Sequence, residues 1–141
     1  MEDFVNIELA IKLKELGFNI PFFFYYRTDD KKLYHLVRSQ PLVYGKDIID
    51  NEVVIAPTIA QVLKWLREEK SIYVVPCVID DCDTDADFRI INRFTFWSFD
   101  IQIIETADYI YAEYTNIGSK RFDFYEEAAL AGIEYVLENL I

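Results

Sequence analysis

The chain has 141 residues, of which 52% are apolar and 16% aromatic, and it carries a net charge of −11. This composition excludes a globally disordered chain, and no apolar run reaches the roughly 18 residues that a membrane-spanning helix needs. The charge is uneven, because residues 71–141 contain four Lys or Arg against fourteen Asp or Glu, whereas residues 1–70 are close to neutral. A basic face for direct binding of nucleic acid is therefore not expected.

The N-terminus and the cysteines indicate a cytoplasmic protein. The chain begins Met-Glu-Asp-Phe, which is acidic where a secretion signal is basic. Cys77 and Cys82 are expected to stay reduced, and their spacing does not match a zinc motif. No cofactor and no membrane association are expected.

The first elements are predicted to be a helix and a β-hairpin. Residues 2–16 carry apolar side chains at helical spacing and end before Gly17, which is a common helix stop. The aromatic segment 22–27 and residues 33–38 are predicted to pair across a polar turn. His35 is the single histidine and is expected at a half-buried position of the second strand.

Residues 57–70 predict a well-capped amphipathic helix. Thr58 and Gln61 have the spacing of a capping box, in which each side chain accepts a hydrogen bond from an otherwise unpaired backbone N–H. The apolar stripe behind this cap consists of Ile59, Val62, Leu63 and Leu66. Trp65 lies at the boundary of the stripe, where its ring either covers the core or anchors a partner.

The second half of the chain is predicted to be rich in strands. Residues 71–79 are nearly all β-branched or aromatic, and Pro76 requires an edge strand, a bulge or a nitrogen that faces away from the neighbouring strand. Residues 80–87 are predicted to form a polar loop, and residues 88–105 a long strand with one buried face. Residues 108–115 alternate in the same way.

A last helix is predicted from Asp123 to Asn139, opened by a capping box of Asp123 and Glu126. Its small residues Ala128, Ala131 and Gly132 would permit close approach to a sheet. Together the elements predict an α+β protein with a single domain over residues 1–141. The expected architecture is an antiparallel sheet of about four to five strands with three helices, in the order α-β-β-α-β-β-β-α.

Alternating aspartates in the predicted polar loop have the pattern that opens a calcium-binding loop. The candidate ligands are Asp81, Asp83 and Asp85, because such sites surround the ion with carboxylate oxygens. The glycine and the glutamate that complete the calcium loop are missing, so a solvated turn without metal is the preferred interpretation. No phosphate-binding loop and no local nucleophile–base motif accompany it, and an enzyme is not expected.

The aromatic residues are the stronger functional lead. Phe94 and Phe96 alternate with Trp97 and Phe99, and helices on one side of a sheet cannot cover both sets. Either the chain covers each face, or an aromatic patch stays exposed for a partner protein, a second copy or a planar ligand. The residues predicted to bind a partner are Trp65, Phe94, Phe96, Tyr109 and Tyr111.

Three segments carry a family resemblance. They are Ala-Pro-Thr-Ile-Ala-Gln-Val-Leu-Lys-Trp-Leu-Arg at residues 56–67, Tyr-Glu-Glu-Ala-Ala-Leu-Ala-Gly-Ile-Glu-Tyr-Val-Leu at residues 125–137 and Lys-Glu-Leu-Gly-Phe at residues 14–18. They are similar to an uncharacterised family of small proteins from gut Bacteroidales and their phages. The resemblance implies a shared fold, because its motifs are helix caps and core stripes, and a phage or mobile-element setting in a bacterial cytoplasm. Small accessory proteins of that setting act by binding and blocking host factors.

Three functional hypotheses follow. The first is a non-enzymatic accessory protein that binds a host or phage protein, with counter-defence as one such role. The second is an acidic decoy that imitates DNA, which requires carboxylates spaced like phosphates along one face. The third is a small-ligand or nucleotide sponge, which requires a pocket near one of four basic residues. These are Arg27, Lys31, Lys32 and Arg38.

Overall fold

The computed structural model describes residues 3–37, 39–45, 52–103, 108–111 and 121–141. For residues 108–111 and Asp81 the description covers the backbone. The helices are α1 (Ile7–Glu15), α2 (Ile59–Lys70) and α3 (Tyr125–Asn139), and the strands are β1 (Phe24–Arg27), β2 (Leu33–His35), β3 (Val53–Ile55), β4 (Ile72–Thr84), β5 (Ile90–Ile103) and β6 (Asp108–Tyr111). The chain forms two compact units, Met1–Trp65 and Leu66–Ile141. The single domain expected from the sequence stays a prediction.

The α+β class and the three helices are confirmed, in the order α-β-β-β-α-β-β-β-α within the described residues. The strands form two three-stranded antiparallel sheets, β2-β1-β3 and β4-β5-β6, where the sequence predicted one sheet. The reason lies in β3, which is buried along its whole length and pairs with β1, so that the first hairpin completes a sheet of its own. Among the described helices, none is long and apolar enough to cross a membrane.

Helix α1 is shorter than predicted and begins at Ile7. Residues 3–5 are extended instead, because the Val5 N–H donates to the Pro57 carbonyl at 3.0 Å. The Asn6 side chain then caps the helix by accepting a hydrogen bond from the Leu9 N–H at 2.9 Å. Gly17 ends the helix with a φ of 89°, a conformation that only glycine adopts without strain, and this stop was predicted correctly.

In the described part of the chain, side chains rather than another strand close the outer edge of β3. The Tyr44 hydroxyl accepts a hydrogen bond from the Ile55 N–H and donates to the Val53 carbonyl at 3.3 Å. Lys14 Nζ donates to the same carbonyl at 3.0 Å. Burial raises the pKa of Tyr44 to about 12, because the neutral phenol is favoured where water is partly excluded.

The capping box of α2 is present in both directions. The Thr58 N–H donates to Gln61 Oε1 at 2.9 Å, and the Gln61 N–H donates to Thr58 Oγ1 at 3.2 Å. All four residues of the predicted apolar stripe are buried. Local hydrogen bonds and helical spacing were therefore enough to place this element.

Helix α3 packs closely on the second sheet, as its small residues predicted. A Cβ added at Gly132 would lie 2.5 Å from Val74 Cγ1 and 3.2 Å from the Phe99 ring. The helix begins at Tyr125, two positions later than predicted, and its N-cap Phe124 makes no side-chain cap. The predicted capping box at Asp123 is wrong, because the residues just before it are held in a β-bridge with β5 and the chain must turn before the helix can start.

Candidate functional site

The β4–β5 hairpin extends beyond the rest of the second sheet. Within the described residues, strand β6 covers β5 only at Asp100–Ile103, and an isolated bridge from Phe122 covers Trp97. Beyond that point β4 and β5 continue as a two-stranded ribbon, which we call the arm and define as residues 78–97. At about 3.3 Å per residue the arm is roughly 20 Å long.

Most of the predicted polar loop is strand in this arm. Residues 80–83 pair with β5, so that Asp80 lies opposite Thr95 and Asp83 opposite Asn92. The prediction of a loop over residues 80–87 is therefore wrong for residues 80–84, which belong to β4. Aspartate has a low β propensity, but the backbone ladder with a long neighbouring strand outweighs that preference.

The turn at the tip of the arm is organised by the Asp85 carboxylate. Its Oδ1 atom accepts hydrogen bonds from the Asp87 N–H at 2.9 Å and from the Arg89 N–H at 3.0 Å. The Phe88 N–H donates to the Asp85 carbonyl at 3.0 Å, which closes a turn of the kind that usually has glycine in the left-handed position. Here that position is Phe88, with a φ of 62°.

Exposed apolar side chains are concentrated on the arm. Phe88 is 87% exposed and Ile91 68% exposed, and three further large apolar residues of the arm are exposed as well. These three are Val78, Ile79 and Ile90. Cross-strand pairing puts Val78 on the face of Trp97 and Ile79 on the face of Phe96. Both faces of the ribbon therefore expose apolar side chains to water.

Phe94 and Phe96 form an aromatic platform with a cation above it. Their ring centroids are 6.2 Å apart, and the Arg121 guanidinium carbon lies 4.4 Å from the Phe94 centroid and 4.8 Å from that of Phe96. Both rings are half-buried and lie on the face opposite Trp97, as their alternation in the sequence predicted. The cation was not predicted, because Arg121 is distant in sequence and reaches the rings only through the bridge of Phe122 to β5.

An open groove of about 570 Å³ runs beside these residues. It is lined by Asp80, Cys82, Ile90, Arg93, Phe94 and Thr95. The lining combines both signs of charge with a phenyl ring and an isoleucine. Such a mixture suits the side chains of a polypeptide better than one small polar ligand.

The other residues predicted to bind a partner differ in their accessibility. Trp65 is only 8% exposed, and its ring packs edge-on against Phe18 at 5.4 Å, so it covers the core of the first unit and is not accessible to a partner. Tyr109 and Tyr111 lie in β6, opposite Gln102 and Asp100, and their side chains are outside the described part of the structure.

No metal site is found at the candidate ligands Asp83 and Asp85, and the side chain of Asp81 lies outside the described part of the structure. Alternate residues of an extended strand are about 6.6 Å apart. A calcium ion, in contrast, needs all its oxygen ligands at roughly 2.3–2.6 Å from the ion. Asp83 lies in such a strand, and Asp85 Oδ1 is occupied by two backbone N–H groups. Within the described residues, no group of three or more His, Cys, Asp or Glu side chains is arranged to hold a metal ion.

The groups considered for nucleophilic chemistry are poorly placed for it. The His35 ring stacks on Phe24 with centroids 4.2 Å apart, and it is exposed rather than half-buried because β2 is an edge strand. Cys77 Sγ lies 4.0 Å from a carboxylate oxygen of Asp100. Burial and, to a smaller extent, this carboxylate raise the pKa of the Cys77 thiol, which disfavours the reactive thiolate.

The first unit has a smaller groove of about 260 Å³, whose lining includes Phe4, Phe22, Phe23 and Phe24. Its phenyl rings offer a planar ligand surface for stacking. Of the basic residues expected to hold phosphates, Arg27 already pairs with Asp29 and with Glu52, each at 3.3 Å, and Arg38 lies outside the described residues.

Comparisons with protein-family models, with curated proteins and with solved structures give no match. The resemblance to the Bacteroidales and phage family stays a prediction.

Proposed function

We propose that the protein is a non-enzymatic binding protein that engages another protein with the arm. The observation that carries this proposal is the set of large apolar side chains exposed on both faces of a two-stranded ribbon. An isolated hairpin is marginally stable in water. Burial of its exposed apolar residues by a partner lowers the free energy of the system and so favours binding. The family resemblance suggests a bacterial or phage protein as the partner, and counter-defence as the context.

Phe88 supports the proposal independently of the other apolar residues. A bulky residue in the left-handed region costs about 1–2 kcal/mol relative to glycine, and the 87% exposed ring recovers little of this within the chain. Complete burial of a phenylalanine side chain contributes about 1.5–3 kcal/mol. A partner that covers the tip would thus return free energy of at least similar size to the cost of the turn.

The two alternative functions have weaker support. A DNA-mimicking decoy needs its carboxylates along one face, but the pairing of β4 puts Asp80 and Asp83 on opposite faces, and Arg89 and Arg93 interrupt the negative charge on β5. For a nucleotide sponge, the phenylalanine-lined groove of the first unit supplies surface on which a base could stack. No Lys or Arg is among the described residues that line this groove.

The test is affinity capture from bacterial lysate with a tagged full-length chain, comparing the wild type with F88S/I91S. The matched control is Val37→Ser, because Val37 is 86% exposed and belongs to the first unit, whereas the arm belongs to the second. We expect one or more proteins to be captured by the wild type and by V37S and lost with F88S/I91S.

Two results would contradict the proposal. One is an identical set of captured proteins for the wild type and F88S/I91S. The other is loss of capture with V37S alone, which would move the binding site to the first unit. Sedimentation of the purified chain at several concentrations shows whether the partner is a second copy.

A further inference from the structure

The outer edge of β4 is the feature of the arm that the apolar side chains do not explain. Strand β4 has 13 residues and pairs with β5 on one side only. In the part of the chain that the structure describes, no strand pairs with its other side. An edge of this length presents a row of backbone N–H and C=O groups that can pair with a further strand.

The hydrogen bonds of Trp97 identify which residues of β4 present these groups. The Trp97 N–H donates to the Phe122 carbonyl at 2.8 Å and its carbonyl accepts from the Phe122 N–H at 3.1 Å, so both groups point away from β4. Val78 is the direct antiparallel partner of Trp97, and it therefore belongs to a non-hydrogen-bonded pair. Its own N–H and C=O point outward from the free side of β4.

The same orientation recurs at every second residue of the regular ladder. Asp80 therefore also directs its N–H and C=O outward, and so does Pro76, which has no N–H to lose. This explains why proline is tolerated within a long strand, and it shows where strand addition must stop. The edge that a further strand can use begins at Val78 and runs toward the tip.

The charge of this edge selects the kind of strand. No cation of the described residues lies within ion-pair distance of Asp80 or Asp83. Two copies of the strand paired edge to edge would bring these carboxylates together, which is unfavourable. A strand that carries Lys or Arg opposite them is favoured instead, on one face of the ribbon for Asp80 and on the other face for Asp83. The groove lined by Asp80, Arg93 and Thr95 adjoins the residue opposite Asp80.

We infer that the outer edge of β4 binds an extended basic segment of the partner protein as an added antiparallel strand. The inference rests on the proposed protein-binding function and names its mode. Direct cross-strand pairing places an apolar residue of the segment opposite Val78, a basic one opposite Asp80 and a second basic one opposite Asp83. Read from its N-terminus, the segment has the pattern basic-x-x-basic-x-apolar.

The probe is a labelled synthetic peptide of about twelve residues with the pattern Lys-x-x-Lys-x-Val, measured against the full chain by fluorescence anisotropy. A peptide of the same composition in scrambled order is the control. We expect at least tenfold weaker binding of the scrambled peptide, and a tenfold or greater loss for the D80K/D83K protein with the patterned peptide. Replacing both lysines of the peptide by glutamate should restore binding to D80K/D83K.

N-methylation of the peptide tests the backbone pairing without any change to the protein. A methyl group on the nitrogen that faces Val78 removes a ladder hydrogen bond and should weaken binding at least tenfold. A methyl group on the next nitrogen, which faces solvent, should leave the affinity within about twofold. Equal effects at the two positions would overturn strand addition, and so would equal affinities of the patterned and scrambled peptides.

Failure of this inference is distinguishable from failure of the proposed function. If D80K/D83K and the wild type capture the same lysate proteins while F88S/I91S loses them, the arm binds protein by its apolar residues and the basic added strand is refuted. If F88S/I91S also captures them, the proposed function itself is refuted. Dimerisation of the chain that D80K/D83K strengthens would show that the edge accepts a second copy, against the inference.

Discussion

Replacing Phe88 by glycine should stabilise the second unit, although it removes a phenyl ring. The left-handed backbone at φ 62° costs an L residue about 1–2 kcal/mol, and glycine adopts it without that cost. Glycine loses about 0.5–1 kcal/mol of this gain because its unfolded chain is more flexible. The ring is 87% exposed, so its removal forfeits little buried area, and the net gain in free energy of unfolding should be about 0.5–1 kcal/mol.

Phe88→Ala separates the backbone from the ring, because it removes the ring and keeps the unfavourable φ. We expect this variant to lie within about 0.5 kcal/mol of the wild type in urea unfolding followed by circular dichroism. The amide protons of Asp85 and Phe88, which close the turn, should exchange more slowly in F88G and at the wild-type rate in F88A. Equal stabilisation by alanine and glycine would refute the argument, because it would make the ring and not the backbone the source of the cost.

The same substitution, Phe88→Gly, should weaken binding of the partner although it stabilises the fold. If Phe88 is kept for contact with a partner, F88G gains stability and loses capture of that partner. Such a trade between stability and activity is common where a strained residue belongs to a functional surface.

Two further predictions concern the two units separately. Gly132→Ala should lower the free energy of unfolding by about 1–2 kcal/mol despite the better helix propensity of alanine, because its Cβ would lie 2.5 Å from Val74 Cγ1. In a double-mutant cycle measured by urea unfolding, V74A should relieve part of that cost. A G132A protein more stable than the wild type would contradict this packing. The pKa of Tyr44 is raised by burial from its ordinary value of 10.0 to about 12. The stabilisation of the folded protein by the neutral phenol is therefore complete below pH 10 and is lost between pH 10 and 12. Because the ring is partly exposed, we expect the free energy of unfolding to fall by about 1–2 kcal/mol over this pH range. The fall should be absent in Y44F. An absorbance titration of the tyrosines in which none titrates late would refute the prediction.

The parts of the fold that were predictable depend on interactions between near neighbours in sequence. The Thr58–Gln61 cap, the Gly17 stop and the buried stripe of α2 all arise from contacts within one or two helical turns, which any window of the sequence contains. Even there the chain context corrected two helix starts. Helix α1 begins late because residues 3–5 pair with the segment before α2, and α3 begins late because of a bridge to β5.

The candidate site was only partly predictable, because exposure depends on which strands find partners. Alternation placed Phe94 and Phe96 on the correct face, but nothing near them in sequence indicates Arg121 above their rings. Trp65 had the same aromatic character and proved to be buried against Phe18. Phe88 was not predicted, although a phenylalanine at the end of an aspartate-rich turn between two apolar segments was a readable signal of a hairpin tip.

The sequence by itself therefore determined the class of the protein, its helices, its uneven charge and the lack of a recognisable catalytic motif. Only the tertiary structure decided that the strands divide into two sheets, that the aspartate segment is the edge of a long ribbon, and that apolar residues of this ribbon remain in water. The physical reason is that helix caps and stripes are local, whereas strand pairing joins residues far apart in the chain and can be known only once every competing partner has been placed.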